Sequence, residues 1–302
     1  MQWTRPMILG RVARKIRQEG LNGVINTLVH RVLPQQFADF QRFRSHFEGK
    51  IGLEIGGPSG VFGRKGILPI YSIVERLDNC TFSQSTLWEK EISEGYTFVY
   101  DKNAAPGRQY ILDGSSLAPL DSSSYDFVLS SHVIEHMANP LLGLSEWLRV
   151  LKPAGQFVIV VPHKDGTFDH LRPVTSFDHL LSDLERHVDE SDMTHLEEIL
   201  ELHDLSRDPE AGGFDAFRLR ALNNLNNRGL HHHVFDTRLA IKMLEYVGLR
   251  ILDVQLFRPF HIVVIAQKYD KRLSERALLA GAPDIVRWKS PFPSDARPSE
   301  AE

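Results

Sequence analysis

The sequence predicts an α/β fold in which a mostly parallel, doubly wound sheet presents its chemistry along one edge. Three observations lead there. Ile51 to Ile55 is an apolar run with one acid, Glu54, and it breaks into Gly56-Gly57-Pro58-Ser59-Gly60. A buried parallel strand has this form where it ends over a ligand. Further strands are expected at Tyr110-Ile111-Leu112-Asp113 and from Tyr125 to Leu129. Between the latter and the apolar strand Phe157 to Val161, the residues Leu144, Trp147, Leu148 and Leu151 fall on one helical face.

Bulk properties narrow the function. With 42% hydrophobic and 25% charged residues the composition is that of a soluble globular protein, and the net charge of -4 speaks against a general nucleic-acid binder. One cysteine, Cys80, excludes an internal disulfide and a multi-cysteine zinc site and suits a reducing cytoplasm. No apolar run reaches the roughly 18 residues of a membrane span. Arg11, Arg14, Lys15 and Arg17 interrupt what would be the apolar core of a signal peptide.

Taken in order, residues 1–49 read as a basic helical cap, with Leu9, Val12, Ala13 and Ile16 at helical spacing and Pro34 as a stop. The same segment, over residues 5–33, has the make-up of a helix lying peripherally on an anionic membrane. After the glycine turn, Gly63, Gly66 and Pro69 leave room only for a short helix near Ile70 to Val74. A Rossmann-type site places an acid about 20 residues on, at the end of the second strand, to hold ribose hydroxyls. Asp78 is the first candidate for that acid and Glu75 the second. Lys152-Pro153-Ala154-Gly155 stops the amphipathic helix. Asp236-Thr237 caps a last helix ending at Gly248, and Ile251 to Phe257 and His261 to Ala266 form two strands about Arg258-Pro259-Phe260.

The acid-x-Gly-x-Pro-x-Gly turn begun by Glu54 resembles motif I of the class I S-adenosylmethionine-dependent methyltransferases, with Pro58 in place of the middle glycine. Asp113, followed by Gly114-Ser115-Ser116-Leu117, is similar to the family's stretch in which an aspartate meets the adenine amine. Ser131-His132-Val133-Ile134-Glu135-His136 looks like the strand-four exit of its quinone and small-molecule branch. Leu148 to Gly155 matches a phrase common in the superfamily. The motifs come in the family's order over about 110 residues. The resemblance implies a seven-stranded sheet closed by an antiparallel hairpin. It also implies S-adenosylmethionine held by Glu54, Gly56, Gly57, Gly60, Asp78, Asp113, Gly114, Ser115 and Ser131. A nicotinamide oxidoreductase would instead need the G-x-G-x-x-G that this turn lacks.

Residues 163–233 do not fit the core pattern. They hold nine of the chain's 14 histidines, including His231-His232-His233, and read as a substrate-covering insertion. No metal is assigned there. The alternative is that His163, Asp165, His170 and one of the triple hold a divalent ion. The core is thus residues 50–162 and 234–268, and residues 269–302 are expected to form a partly disordered extension with little to bury. The expected activity is methylation, most simply of oxygen, on a small molecule or a glycan or glycolipid. A histidine would act as general base, and the candidates by position are His132, His163 and His232. A protein that binds the cofactor without transferring its methyl is the other reading.

Overall fold

The computed structural model describes residues 35–269 and 290–296; the expected membrane-surface segment 5–33 lies outside them. Eight strands form one sheet: β1 (Ile51–Ile55), β2 (Arg76–Thr81), β3 (Gly95–Phe98), β4 (Gly107–Ile111), β5 (Tyr125–Ser131), β6 (Leu151–Pro162), β7 (Leu249–Phe257) and β8 (His261–Lys268). Their order is β3-β4-β2-β1-β5-β6-β8-β7. β4, β2, β1, β5 and β6 are parallel, and β8 runs antiparallel between β6 and β7. The expected sheet has seven strands. The eighth is β3, which pairs antiparallel with β4 at the edge. All five parallel strands therefore finish on one side, where an open α/β sheet leaves its crevice.

The two faces of the sheet are covered differently. Helix α2 (Pro140–Val150) lies on one face, together with α3 (Phe177–Glu185) and α7 (Thr237–Tyr246). Trp147, Leu141, Leu144, Leu239 and Met243 are buried there against Val128, Phe157 and Ile159. Asn139 caps α2 by accepting from Leu142 N, with Pro140 in the first turn where its missing N–H costs nothing. The other face is covered by residues 35–49, including the single turn α1 (Gln41–Arg44), and by the segment after β1. Phe37, Phe43, Phe47, Phe62, Leu68 and Ile70 pack there against Phe127 and Val160. The short helix expected near Ile70 is only a turn, because Gly63, Gly66 and Pro69 break the segment. Residues 163–233 carry α3, then α4 (Leu196–Leu202), α5 (Phe214–Leu222) and α6 (Asn224–Asn227). They have a small core of their own around Ile199, Phe217, Ala221 and Leu230.

Residues 290–296 of the C-terminal extension pack where β6 ends and α7 begins. Phe292 is buried and stacks on the His163 ring at 4.1 Å, and Asp295 accepts from the Thr237 hydroxyl at 2.7 Å.

Gly52 makes the tight β1–β5 packing possible, since a Cβ there would stand 2.0 Å from the Phe127 ring. Gly52→Ala should lower the unfolding free energy by roughly 1–3 kcal/mol, the usual cost of overpacking, measured by denaturant titration.

Candidate active site

A cleft of about 550 Å³ opens over the carboxyl ends of β1, β2, β4 and β5, within the range of small-molecule sites. Its floor is the turn after β1. Gly56 has φ +76°, and a Cβ on it would meet Val133 Cγ2 at 2.5 Å. Only glycine gives both the left-handed backbone and the space. Gly57 donates its N–H to Asn79 Oδ1 at 2.9 Å, and its carbonyl accepts from Asn79 Nδ2 at 3.2 Å. Gly56, Gly57, Pro58 and Gly60 all line the cleft.

Glu54 is not among the lining residues. Its carboxylate is fully buried beneath the turn, where it accepts from Tyr71 Oη at 2.7 Å and from Ser59 N at 3.1 Å. It holds the loop from below. Burial lifts this carboxyl to about 8, against the opposing pull of those two donors.

The second strand corrects the expectation for ribose. Asp78 sits in the middle of β2, three residues before its end. Its carboxylate accepts from Arg76 Nε (3.1 Å), Arg108 N (2.9 Å) and Tyr125 Oη (3.1 Å). Glu75 precedes the strand. Neither lines the cleft; Cys80, Thr81 and Phe82 stand at the strand end, and Glu89 follows in the next loop. Counting residues from the turn fails because no full helix separates β1 from β2.

Asp113 and Gly114 line the cleft after β4. Asp113 Oδ1 accepts from Ser115 N (2.9 Å) and Ser115 Oγ (2.7 Å), while Oδ2 accepts from Arg228 at 2.8 Å. Ser115 therefore orients Asp113 and is itself absent from the wall. Arg228 comes from the insertion, also pairs with Glu190 at 2.5 Å, and lies 5.3 Å over the Phe82 ring. Glu190 in turn accepts from Ala138 N at 3.1 Å. The insertion is thus clamped across this end of the cleft by one arginine.

At the β5 exit, Ser131 presents a buried hydroxyl with no hydrogen-bond partner to the cleft. His132 follows with φ +55° and also lines it. Its Nε2 lies 2.9 Å from His261 Nδ1 and its Nδ1 3.6 Å from Glu135 Oε1. Burial pushes His261 down to about 3, so that imidazole is neutral. Burial opposes ionisation of Glu135, yet His132, His136 and His231 together hold it below the ordinary carboxylate range. His136 lines the cleft beside Trp88, with ring centroids 5.2 Å apart, and burial drives it down to about 4.

Of the three histidines picked out by position, only His132 reaches the cleft. His163 is fully buried on the tail segment, its Nε2 3.2 Å from Asp295 and its Nδ1 accepting from Asp165 N at 3.2 Å. His232 turns inward to Asn224 Nδ2 at 3.0 Å. The metal set suggested by sequence is dispersed: His170 pairs with Asp204 at 2.9 Å, and Asp165 accepts from Ser294 Oγ at 2.9 Å. A different trio, Glu135, His136 and His231, brings its ligand atoms within 4.8 Å of one another beside the cleft. Sequence gave no sign of Arg228, Glu190, Asn79 or Tyr71, whose roles arise from contacts 17 to 115 residues apart.

The pH response of Glu54 is measurable. The unfolded chain releases this proton near 4.5, and the folded chain keeps it to about 8. The folded state thus binds more protons across that window, and the stability this proton supports is lost as pH rises through it. Glu54→Gln lacks this loss. Its unfolding free energy relative to wild type should rise from pH 5 to pH 8 in urea titrations.

The residues present fit an adenosyl cofactor: a glycine cradle that a Cβ would fill, an unpartnered serine hydroxyl, and a carboxylate at the far end. Residues 89–159 match a family model described as a methyltransferase domain. No curated protein matches the sequence. Solved structures with a similar arrangement include a SAM-dependent methyltransferase from Methanosarcina mazei (16% identity, 78% of this chain and 99% of that one, TM-score 0.45). Another comes from Mesorhizobium loti (16%, 76% and 95%, TM-score 0.42). A third is the 1,6-didemethyltoxoflavin-N1-methyltransferase of Burkholderia thailandensis with bound S-adenosylhomocysteine (13%, 89% and 93%, TM-score 0.41). At these identities and scores the likeness carries no weight for the acceptor. The matched stretch runs through β3, β4, β5 and most of β6, so this part of the chain is similar to a methyltransferase domain, set in the sheet order and beside the glycine turn expected of the class I S-adenosylmethionine-dependent fold.

Proposed function

We infer that this enzyme methylates a hydroxyl of a small polar acceptor, a sugar or glycolipid headgroup by preference, with His132 taking the proton. The observation that carries the reading is the placement of His132. It stands at the cleft wall on a left-handed backbone, between Glu135 and neutral His261. S-adenosylmethionine supplies a methyl group on a sulfonium. The chain then has to orient the acceptor in line with that methyl, exclude water and hold the released proton. Gly56, Gly57, Gly60 and Ser131 would hold the methionine part. Asp113 and Gly114 would meet the adenine, with Ser115 and Glu54 as positioning residues. Glu89 is the carboxylate of the cleft wall best placed in sequence for the ribose, in place of Asp78. Trp88 lines the cleft while 64% exposed, and an exposed aromatic face suits the apolar side of a sugar ring.

Gly56→Val should abolish S-adenosylmethionine binding in a folded protein, read by calorimetry. Asp113→Ala should weaken it by roughly 1–3 kcal/mol, the cost of an unpaired polar group. His132→Ala should slow turnover by about 10²–10⁴-fold while cofactor affinity stays unchanged. Full turnover in that variant would remove His132 from the reaction.

A second reading rests on Glu135, His136 and His231. His136 Nδ1 and His231 Nδ1 are held by Leu230 O at 2.9 Å and Asp169 Oδ2 at 2.5 Å, which leaves each Nε2 for a cation that activates the acceptor. That version requires turnover to fall with chelator and return with an added divalent transition ion such as Zn²⁺ or Mn²⁺; the general-base version requires neither.

A further inference from the structure

The insertion contains another histidine cluster with no place in the methyl-transfer scheme. His179 and Asp183 stand at i and i+4 on α3 and so share one helix face. His195 occupies the N-cap of α4, and His233 lies in the segment that returns to the sheet before α7. Their polar atoms converge. His179 Nε2 is 3.0 Å from His195 Nε2 and 3.2 Å from Asp183 Oδ2, and the His233 ring centroid lies 5.7 Å from that of His179. The ligand atoms of the three histidines all lie within 4.8 Å of one another.

Hydrogen bonds satisfy this group only in part: His233 Nε2 donates to Ala138 O at 3.2 Å, which leaves its Nδ1 as the atom free to bind. The Nε2 of His179 carries at most one hydrogen and faces two neighbours. Asp183 Oδ2 and His233 Nδ1 are buried without any hydrogen-bond partner, on residues only 4% and 1% exposed.

We propose that His179, Asp183, His195 and His233 form a four-ligand site for a divalent transition ion of the zinc class. Zinc–nitrogen bonds of about 2.0–2.1 Å in a tetrahedron put neighbouring ligand atoms about 3.3 Å apart. The separations of 3.0 and 3.2 Å lie close to that value. Imidazole and carboxylate together suit zinc. Four protein ligands make the site a closed, structural one rather than a catalytic one. The His179 side chain, 34% exposed, provides the way in. Asn139 fixes the site to the core, because its Nδ2 donates to the Asp183 carbonyl at 2.9 Å while its Oδ1 caps α2. A bound ion would staple α3, the start of α4 and the return segment together, independently of how the cleft performs its reaction.

The test is a zinc titration of the chelator-stripped full chain by calorimetry, beside His179→Ala and His195→Ala. Wild type should take up about one equivalent more than either variant. Its thermal midpoint should rise by several degrees with zinc while the variants' midpoints stay put. Cobalt in place of zinc should give the strong visible bands of a four-coordinate ion in wild type alone. Folded, stripped wild type that takes up no zinc overturns the site, as do variants that take up as much as wild type. Where a variant fails to fold, the wild-type titration and the cobalt spectrum decide. Loss of His132 activity, or its absence, bears on none of these readouts.

Discussion

The insertion depends on one buried cation. Arg172 is 1% exposed, and a guanidinium removed from water costs several kcal/mol unless its donors are all used. Its Nε reaches Glu198 at 2.7 Å, one terminal nitrogen reaches Asp169 at 3.0 Å and His231 O at 2.8 Å, and the other reaches His232 O at 3.3 Å. Those four bonds tie α4, the residues just after β6 and the triple-histidine segment to one point. Asp169, fixed from one side by Arg172, can then hold His231 from the other. The orientation of the histidines around the cleft follows from where this arginine must find its partners.

The same logic explains which parts of the molecule were legible in the sequence. Strand ends are local events. The run Ile51 to Ile55 followed by glycines, and the stretch from Tyr110 to Asp113, announced themselves by composition and lie where expected. The Asp236 cap and the β7–β8 hairpin were equally plain, because caps and turns are satisfied by neighbours in sequence. Side-chain direction is different. His163 does follow the fifth parallel strand, as its position implied, but its ring turns to Phe292 and Asp295, more than 120 residues further on. His232 turns to Asn224 while His231 beside it faces Asp169, an alternation that single-residue spacing leaves open.

Asp78 shows how a family pattern misleads when one element is missing. The expected distance from the glycine turn to the ribose acid presumes a helix between β1 and β2. Here that helix is replaced by a three-residue turn (Gly60–Phe62) and an irregular run. Asp78 consequently falls inside the strand, where it answers Arg76 and Tyr125. Glu54 is the converse case. It stands at its expected place in the motif, yet the carboxylate works beneath the loop through Tyr71 and Ser59, giving the floor of the cleft its rigidity.

The clamp of Arg228 on Asp113 has a thermodynamic consequence. On the proposed reading, the carboxylate that would receive the adenine amine already serves the insertion. Cofactor and insertion therefore draw on one acceptor, and their free energies are linked. Whatever the cofactor does to the docking of the insertion, the insertion must do to cofactor affinity in equal measure. On that reading the coupling is antagonistic: cofactor that takes the Asp113 carboxylate loosens the Arg228 clamp, and release of the spent cofactor restores it.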